Sequence, residues 1–166
     1  MILEGNAHVF GDHINTDYII SSKVKSRMAN LDEMTEHVME DIRPGFYRKI
    51  QPGDFIVAGI NFGCGSSRET APWVIKNAGI SAVLAKSFAR IFFRNSINIG
   101  LNVLRMDTTS IRQGDRLKVD LAKGQVENLT LGGKVLIIQP LPDFIQKILS
   151  AGGIKEYFKA HGDFGL

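Results

Sequence analysis

The stretch Phe55-Ile56-Val57-Ala58-Gly59, followed by Gly63-Cys64-Gly65-Ser66-Ser67-Arg68-Glu69 and then Thr70 to Ala78, decides how this chain is read. The first run is short, apolar and bounded by a turn, which predicts a buried strand. The last predicts a helix, with Gly79 as its C-cap. Between them, the glycines allow positive φ or close backbone approach. Ser66 and Glu69 have capping-box spacing, so Ser66 is expected to be the N-cap. Free amides at that helix start favour an anion, and the Arg68 guanidinium suits a carboxylate. A hydroxyl beside a carboxylate grip is the chemistry this pattern offers. A purely structural glycine turn with a cap is the plain alternative.

Working outward, Ile80 to Ala85 predicts a second buried strand, Ser87 to Asn98 a helix closed by Gly100, and Leu101 to Arg105 a third strand. Strand, helix, strand, helix, strand implies βαβ crossovers and parallel pairs. Beyond residue 105 the pattern changes. Arg116 to Asp120, Gln125 to Leu129 and Lys134 to Ile138 are short strands joined by glycine turns. Phe144 to Leu149 and Ile154 to Phe158 close the chain as short helices. On the N-terminal side, residues 5–10 predict a strand and 11–17 a polar turn. Residues 21–30 predict a polar loop and Leu31 to Met39 a helix. No linker or repeat divides the 166 residues, so 1–166 is expected to be a single α/β domain with a mixed sheet.

Composition narrows the function classes. With 44% hydrophobic and 22% charged residues the chain is ordinary for a soluble globular protein. A net charge of +3, without a basic stripe or aromatic platform, argues against nucleic acid. No run is long and apolar enough to span a membrane, and the first residues lack signal-peptide character. The one cysteine, Cys64, excludes an internal disulfide and points to a reducing, cytoplasmic setting. One thiolate cannot hold an iron–sulfur cluster. The histidines show no ligand spacing, so no metal site is expected in this chain.

Three stretches, Gly11-Asp12-His13-Ile14-Asn15-Thr16-Asp17-Tyr18-Ile19-Ile20, Ile60 to Glu69, and Ala85-Lys86-Ser87-Phe88-Ala89-Arg90-Ile91-Phe92-Phe93-Arg94-Asn95-Ser96-Ile97-Asn98-Ile99-Gly100, resemble, in order and spacing, the small subunits of isopropylmalate dehydratase. These are free-standing swivelling domains of the aconitase superfamily. The resemblance covers nearly the whole chain. It implies a β/β/α swivelling domain that pairs with a large subunit as a heterodimer or heterotetramer. That partner carries a 4Fe–4S cluster, and the pair moves a hydroxyl on a small hydroxy diacid by removing water and adding it back. By the same resemblance Ser66 is the base, Ser67 and Arg68 contact a substrate carboxylate, and Asp17 lies near the site, orienting cationic groups of the partner. Arg90 and Arg94 are expected to pair with acids or face the subunit interface, and Cys64 to be a small filler.

The family's specificity loop falls at about residues 21–30, where this chain departs from the pattern. Relatives carry a proline and an aromatic–leucine element; here the chain reads Ser21-Ser22-Lys23-Val24-Lys25-Ser26-Arg27-Met28. An apolar substrate branch wants an apolar wall, for which Val24 and Met28 are candidates. An additional carboxylate, or a small methylmalate, would suit Lys23, Lys25 or Arg27. The resemblance implies interconversion of 2-isopropylmalate and 3-isopropylmalate in leucine biosynthesis. Homoaconitate, citramalate and (di)methylmalates remain as alternatives, and a non-catalytic anion-binding or regulatory module as a reading of another class. Arg43 lies where aconitase has a carboxylate-binding arginine but lacks its motif, which disfavours citrate.

Overall fold

Strand by strand, the computed structural model, which describes residues 1–162, follows the hydrophobic periodicity of the chain. Seven strands form one sheet in the order β4-β3-β2-β1-β5-β6-β7. Parallel pairing joins β1 (Ile2–Val9), β2 (Phe55–Ala58), β3 (Ala82–Ala85) and β4 (Asn102–Arg105). Antiparallel pairing joins β1 to β5 (Arg116–Asp120), then β6 (Gln125–Asn128) and β7 (Lys134–Ile137). The sheet curls until its two ends meet: Met106 bridges Ile138, and the Gln139 amide donates to the Arg105 carbonyl.

Alternation along the strands sorts the core into two layers. Ile56, Ala58, Val83, Ala85 and Val103 face one cluster, shared with the helices. Phe55, Val57, Ala82, Leu84 and Leu104 face the other, inside the curl, with Leu117, Val119 and Val126 of the antiparallel half. Strands β2 and β3 are buried along their whole length, as parallel strands covered on both faces must be. Strand β5 alternates, because its outer face is wet. This is the expected mixed α/β swivelling-domain architecture.

The helices are α1 (Thr16–Ile19), α2 (Ser22–Arg27), α3 (Leu31–Thr35), α4 (Thr70–Asn77), α5 (Arg90–Ile99), α6 (Asp143–Ser150) and α7 (Ile154–His161). Four local expectations change. Strand β1 extends back to Ile2, because β5 pairs with residues Ile2 to Asn6. Residues 22–27 are helical where a loop was expected. Ser21 caps them by accepting the Val24 amide, and Val24 and Met28, a turn apart, pack on the core. Helix α3 stops at Thr35, short of Met39. Met39 adopts φ +57 and gives its amide to the Ile19 carbonyl, a tertiary bond that ends the helical run.

The fourth change concerns Ser66, which caps nothing. Helix α4 starts at Thr70 with Glu69 as N-cap and no side-chain cap bond. The Thr16 hydroxyl donates to the Ser66 carbonyl at 2.9 Å, and this fastens Ser66 to the neighbouring segment before α4 begins. The capping box is therefore not formed.

Candidate active site

Main-chain bonds assemble the site from two separate motifs. The Gly63 amide donates to the Ile14 carbonyl and the Thr16 amide to the Cys64 carbonyl, each at 2.8 Å. The His13 amide donates to the Ile60 carbonyl, also at 2.8 Å. Residues 60–66 are thus laid against 13–16 almost as a pair of strands. The glycines are required here. Gly63 has φ +78, and a Cβ there would sit 2.1 Å from the Phe92 ring. Gly65 has φ +92, and a Cβ would sit 2.4 Å from the Asn15 amide oxygen. His13 and Asn61 both adopt positive φ at the edge of this seam, conformations that cost about 1–3 kcal/mol each and that the surrounding bonds must hold.

Ser66, Ser67 and Arg68 emerge from the seam into a cleft of about 360 Å³. Its other walls are Thr16, Gly63, Gly65 and the first turns of α5: Ala89, Arg90, Ile91, Phe92 and Arg94. Ser66 and Ser67 are exposed at its mouth. Arg68 is held on its far side: one guanidinium nitrogen lies 2.6 Å from the Asp17 carboxylate and donates to the Ile20 carbonyl at 3.1 Å, and the other donates to the Ser22 hydroxyl at 2.9 Å. Ser22 in turn donates to Asp17 at 3.0 Å. Desolvation works against ionisation of Asp17. The Ser22 and Arg68 hydrogen bonds and the Arg68 charge outweigh it, so the carboxyl titrates below its ordinary value.

The predicted residues therefore separate into two groups. Ser66, Ser67, Arg68 and Asp17 converge. Asp17, expected to orient groups of a partner, reaches Arg68 of its own chain. Lys23, Lys25 and Arg27 are exposed on α2, Val24 is packed on the core, and none of them lines the Ser66 cleft. Arg90 and Arg94 line the cleft, and among the described residues no acid pairs with them. Ser22 and Asn15 were not singled out in the sequence. Asn15 caps α1 by accepting the Asp17 amide at 2.9 Å, and its place before Thr16-Asp17 was the available signal.

Arg43 lies over the Phe10 ring at 3.9 Å and donates to the Val9 carbonyl, which makes it a brace for β1 and not a substrate contact. The Cys64 thiol faces the His13 carbonyl at 3.5 Å. Cys64 is the single cysteine, and among the described residues no group of three or more His, Cys, Asp or Glu is gathered as a metal would require. These residues do not fit an iron–sulfur cluster, which takes three or four thiolates. No helix of the described residues is long and apolar enough to cross a membrane.

The family described as the aconitase C-terminal domain matches residues 10–109. Over 166 residues the chain is 54% identical to 3-isopropylmalate dehydratase small subunit 2 of Archaeoglobus fulgidus, with 100% of both chains covered. It is 46% identical over 165 residues to the methanogen homoaconitase small subunit of Methanothermobacter thermautotrophicus, covering 99% of this chain and 95% of that one. The crystal structure of 3-isopropylmalate dehydratase from Methanocaldococcus jannaschii matches with a TM-score of 0.92 at 44% identity, covering 98% of this chain and 96% of that chain.

Proposed function

Since the chain belongs to the aconitase C-terminal domain family and to its 3-isopropylmalate dehydratase small-subunit branch, we propose that it is the small subunit of a cytoplasmic hydro-lyase interconverting 2-isopropylmalate and 3-isopropylmalate in leucine biosynthesis. The observation that carries the reading is the backbone seam that delivers Ser66, Ser67 and Arg68 to one open cleft. In this reading the partner large subunit closes that cleft and would hold the 4Fe–4S cluster, which, when bound, would supply a Lewis acid for the leaving hydroxyl.

The remaining steps belong to this chain. Arg68 grips the carboxylate next to the carbon that loses its proton, using the donors left over from Asp17, Ile20 and Ser22. Ser67 donates to the same carboxylate. Ser66 Oγ, acting as the alkoxide, takes the proton and becomes the hydroxyl as the carbon–oxygen bond breaks and the alkene forms. On the return, the proton held at Ser66 is delivered to the other carbon as water adds. Charge develops on the carboxylate while the proton moves, and a fixed guanidinium stabilises it without reorganising. The Asp17–Ser22 brace supplies that fixity.

The test is Ser66→Ala in a complex co-purified anaerobically with the large subunit, followed by ultraviolet absorbance of the alkene. We expect turnover to fall about 10²–10⁴-fold with the complex intact. Retained turnover would sink the assignment of Ser66. A wild-type complex inactive on every diacid tried would favour a non-catalytic anion-binding module. A second substrate reading, homoaconitate, draws on the exposed cations of α2 and the methanogen homoaconitase relative. Its test is a panel of isopropylmalate, homocitrate and citramalate, in which a preference for homocitrate would displace the leucine-pathway reading.

A further inference from the structure

Ser66 leaves the seam with little to hold it. The Cys64 carbonyl accepts the Thr16 amide at 2.8 Å, and the Arg68 carbonyl accepts the Ala71 amide at 3.2 Å, where α4 begins. Among the described residues, the main chain of 65–67 between them makes one hydrogen bond. It runs from the Thr16 hydroxyl to the Ser66 carbonyl. Ser66 is exposed, so burial does not hold it in place either.

Thr16 is the opposite case. It is 2% exposed and opens α1, with its amide on Cys64 and its carbonyl accepting the Ile20 amide at 3.0 Å. Asn15 caps the helix, and Ile19 within it is fully buried. A buried hydroxyl without a partner is costly, and the partner of Thr16 is the Ser66 carbonyl at 2.9 Å. The next residue, Asp17, holds Arg68. Successive residues of one short helix therefore hold the two groups that must act on one carbon: Thr16 the serine, Asp17 the arginine.

We propose that Thr16 is a positioning residue for the reaction, setting Ser66 Oγ against the carbon whose carboxylate Arg68 grips. This inference rests on the dehydratase reading above. The bond fixes the carbonyl attached to the Ser66 Cα, from which the side chain departs. With Thr16 and Asp17 side by side, the spacing of base and grip is set by the α1 backbone and not by the exposed segment. The Thr16 hydroxyl takes no part in the proton transfer. Its loss lets the base drift, and a misplacement of about 1 Å costs up to about 10²-fold in rate. The grip itself is untouched, because the bonds of Arg68 run to Asp17, Ile20 and Ser22.

The experiment compares Thr16→Val and Thr16→Ser with wild type, each as the full chain in complex with its large subunit. Valine keeps the shape and removes the donor, and serine keeps the donor. In Thr16→Val, kcat for 3-isopropylmalate should fall about 10- to 100-fold with KM within about 3-fold, as for an interaction felt in the transition state alone. Thr16→Ser should recover most of that loss. In a Ser66→Ala background, Thr16→Val should change the residual turnover by less than about 3-fold, because the group it positions is gone. An unchanged kcat in Thr16→Val overturns the proposal. So does a further tenfold fall on top of Ser66→Ala, or a loss that serine does not restore, since either would make Thr16 a structural residue. A loss carried by KM would assign Thr16 to the grip and overturn it too. If the wild-type complex turned over no diacid, or Ser66→Ala kept near-normal turnover, the dehydratase reading would fall. The carbonyl carbon-13 resonance of Ser66 in the full chain would then decide the tie separately. A shift in Thr16→Val that Thr16→Ser reverses would support it, and an unmoved resonance would overturn it.

Discussion

Residues 60–66 and helix α2 both reach Arg68, but they are fastened by different kinds of bond. The first segment is held main chain to main chain, through Gly63 to Ile14, Thr16 to Cys64 and His13 to Ile60. The second touches the site through one hydroxyl, Ser22, and is otherwise held by the packing of Val24 and Met28. A main-chain seam fixes geometry whatever side chains the segment carries, whereas a helix held by a few side chains can change its outward residues freely. A step that tolerates no displacement belongs on the first kind of support, and the second can vary its outward residues without moving Arg68.

The comparison breaks first at Gly63. Gly63→Ala puts a Cβ into Phe92 at positive φ, and we expect about 2–4 kcal/mol of lost stability. Thermal unfolding should show a midpoint lowered by roughly 5–15 °C; an unchanged midpoint would mean the seam is not the rigid element. Next, Arg68→Lys keeps the charge but cannot serve Asp17, Ile20, Ser22 and a carboxylate together, so kcat/KM of the complex should fall about 10- to 100-fold. Near-normal turnover would remove the fork from the argument.

Smaller effects sharpen it. Asp17→Asn should cost only a few tenths of a kcal/mol, because the Asp17–Arg68 pair is partly exposed. The sign with pH is fixed by the lowered carboxyl. Its contribution is present in full above the unfolded value near ~3.9 and is lost as pH falls through the lower folded value. Urea midpoints of wild type and variant should therefore differ at pH 6 and converge in acid; a gap that widens in acid would contradict the ion pair. Smallest of all, replacing Lys23, Lys25 and Arg27 together by alanine should leave stability within about 0.5 kcal/mol, since all three are exposed. It should leave the ratio of kcat/KM for isopropylmalate and homocitrate within about 3-fold. A tenfold change in that ratio would show that α2 reads the substrate inside the complex.

The parallel half was legible because β2 and β3 are apolar throughout and its turns are marked by glycine. The period-two and period-3.6 signals there do not compete. The same rules failed at residues 22–27, where Ser, Lys and Arg hide a short helix whose only apolar contacts are Val24 and Met28. They failed again at Ser66, because capping-box spacing says nothing about a hydroxyl from Thr16 that arrives from a distant segment. Ser66, Ser67 and Arg68 stand together in sequence and could be found there. The joining of Asp17 and Ser22 to Arg68, and of Arg90 and Arg94 to the same cleft, depends on tertiary placement and leaves no local mark.

Strand β1 has one further consequence, for the order in which the protein can be made. It is the strand shared by both halves of the sheet, parallel to β2 on one side and antiparallel to β5 on the other, with Ile2 opposite Asp120 and Asn6 opposite Arg116. Strand β1 therefore waits for one of its two partners, β5, which emerges long after it. At a translation rate of ~5–20 residues per second, one edge of β1 stays open for roughly 5–20 seconds on the ribosome. Only the arrival of β5 closes it, so a nascent chain stopped short of residue 116 would carry β1 as an open sheet edge, a template for pairing with a second chain.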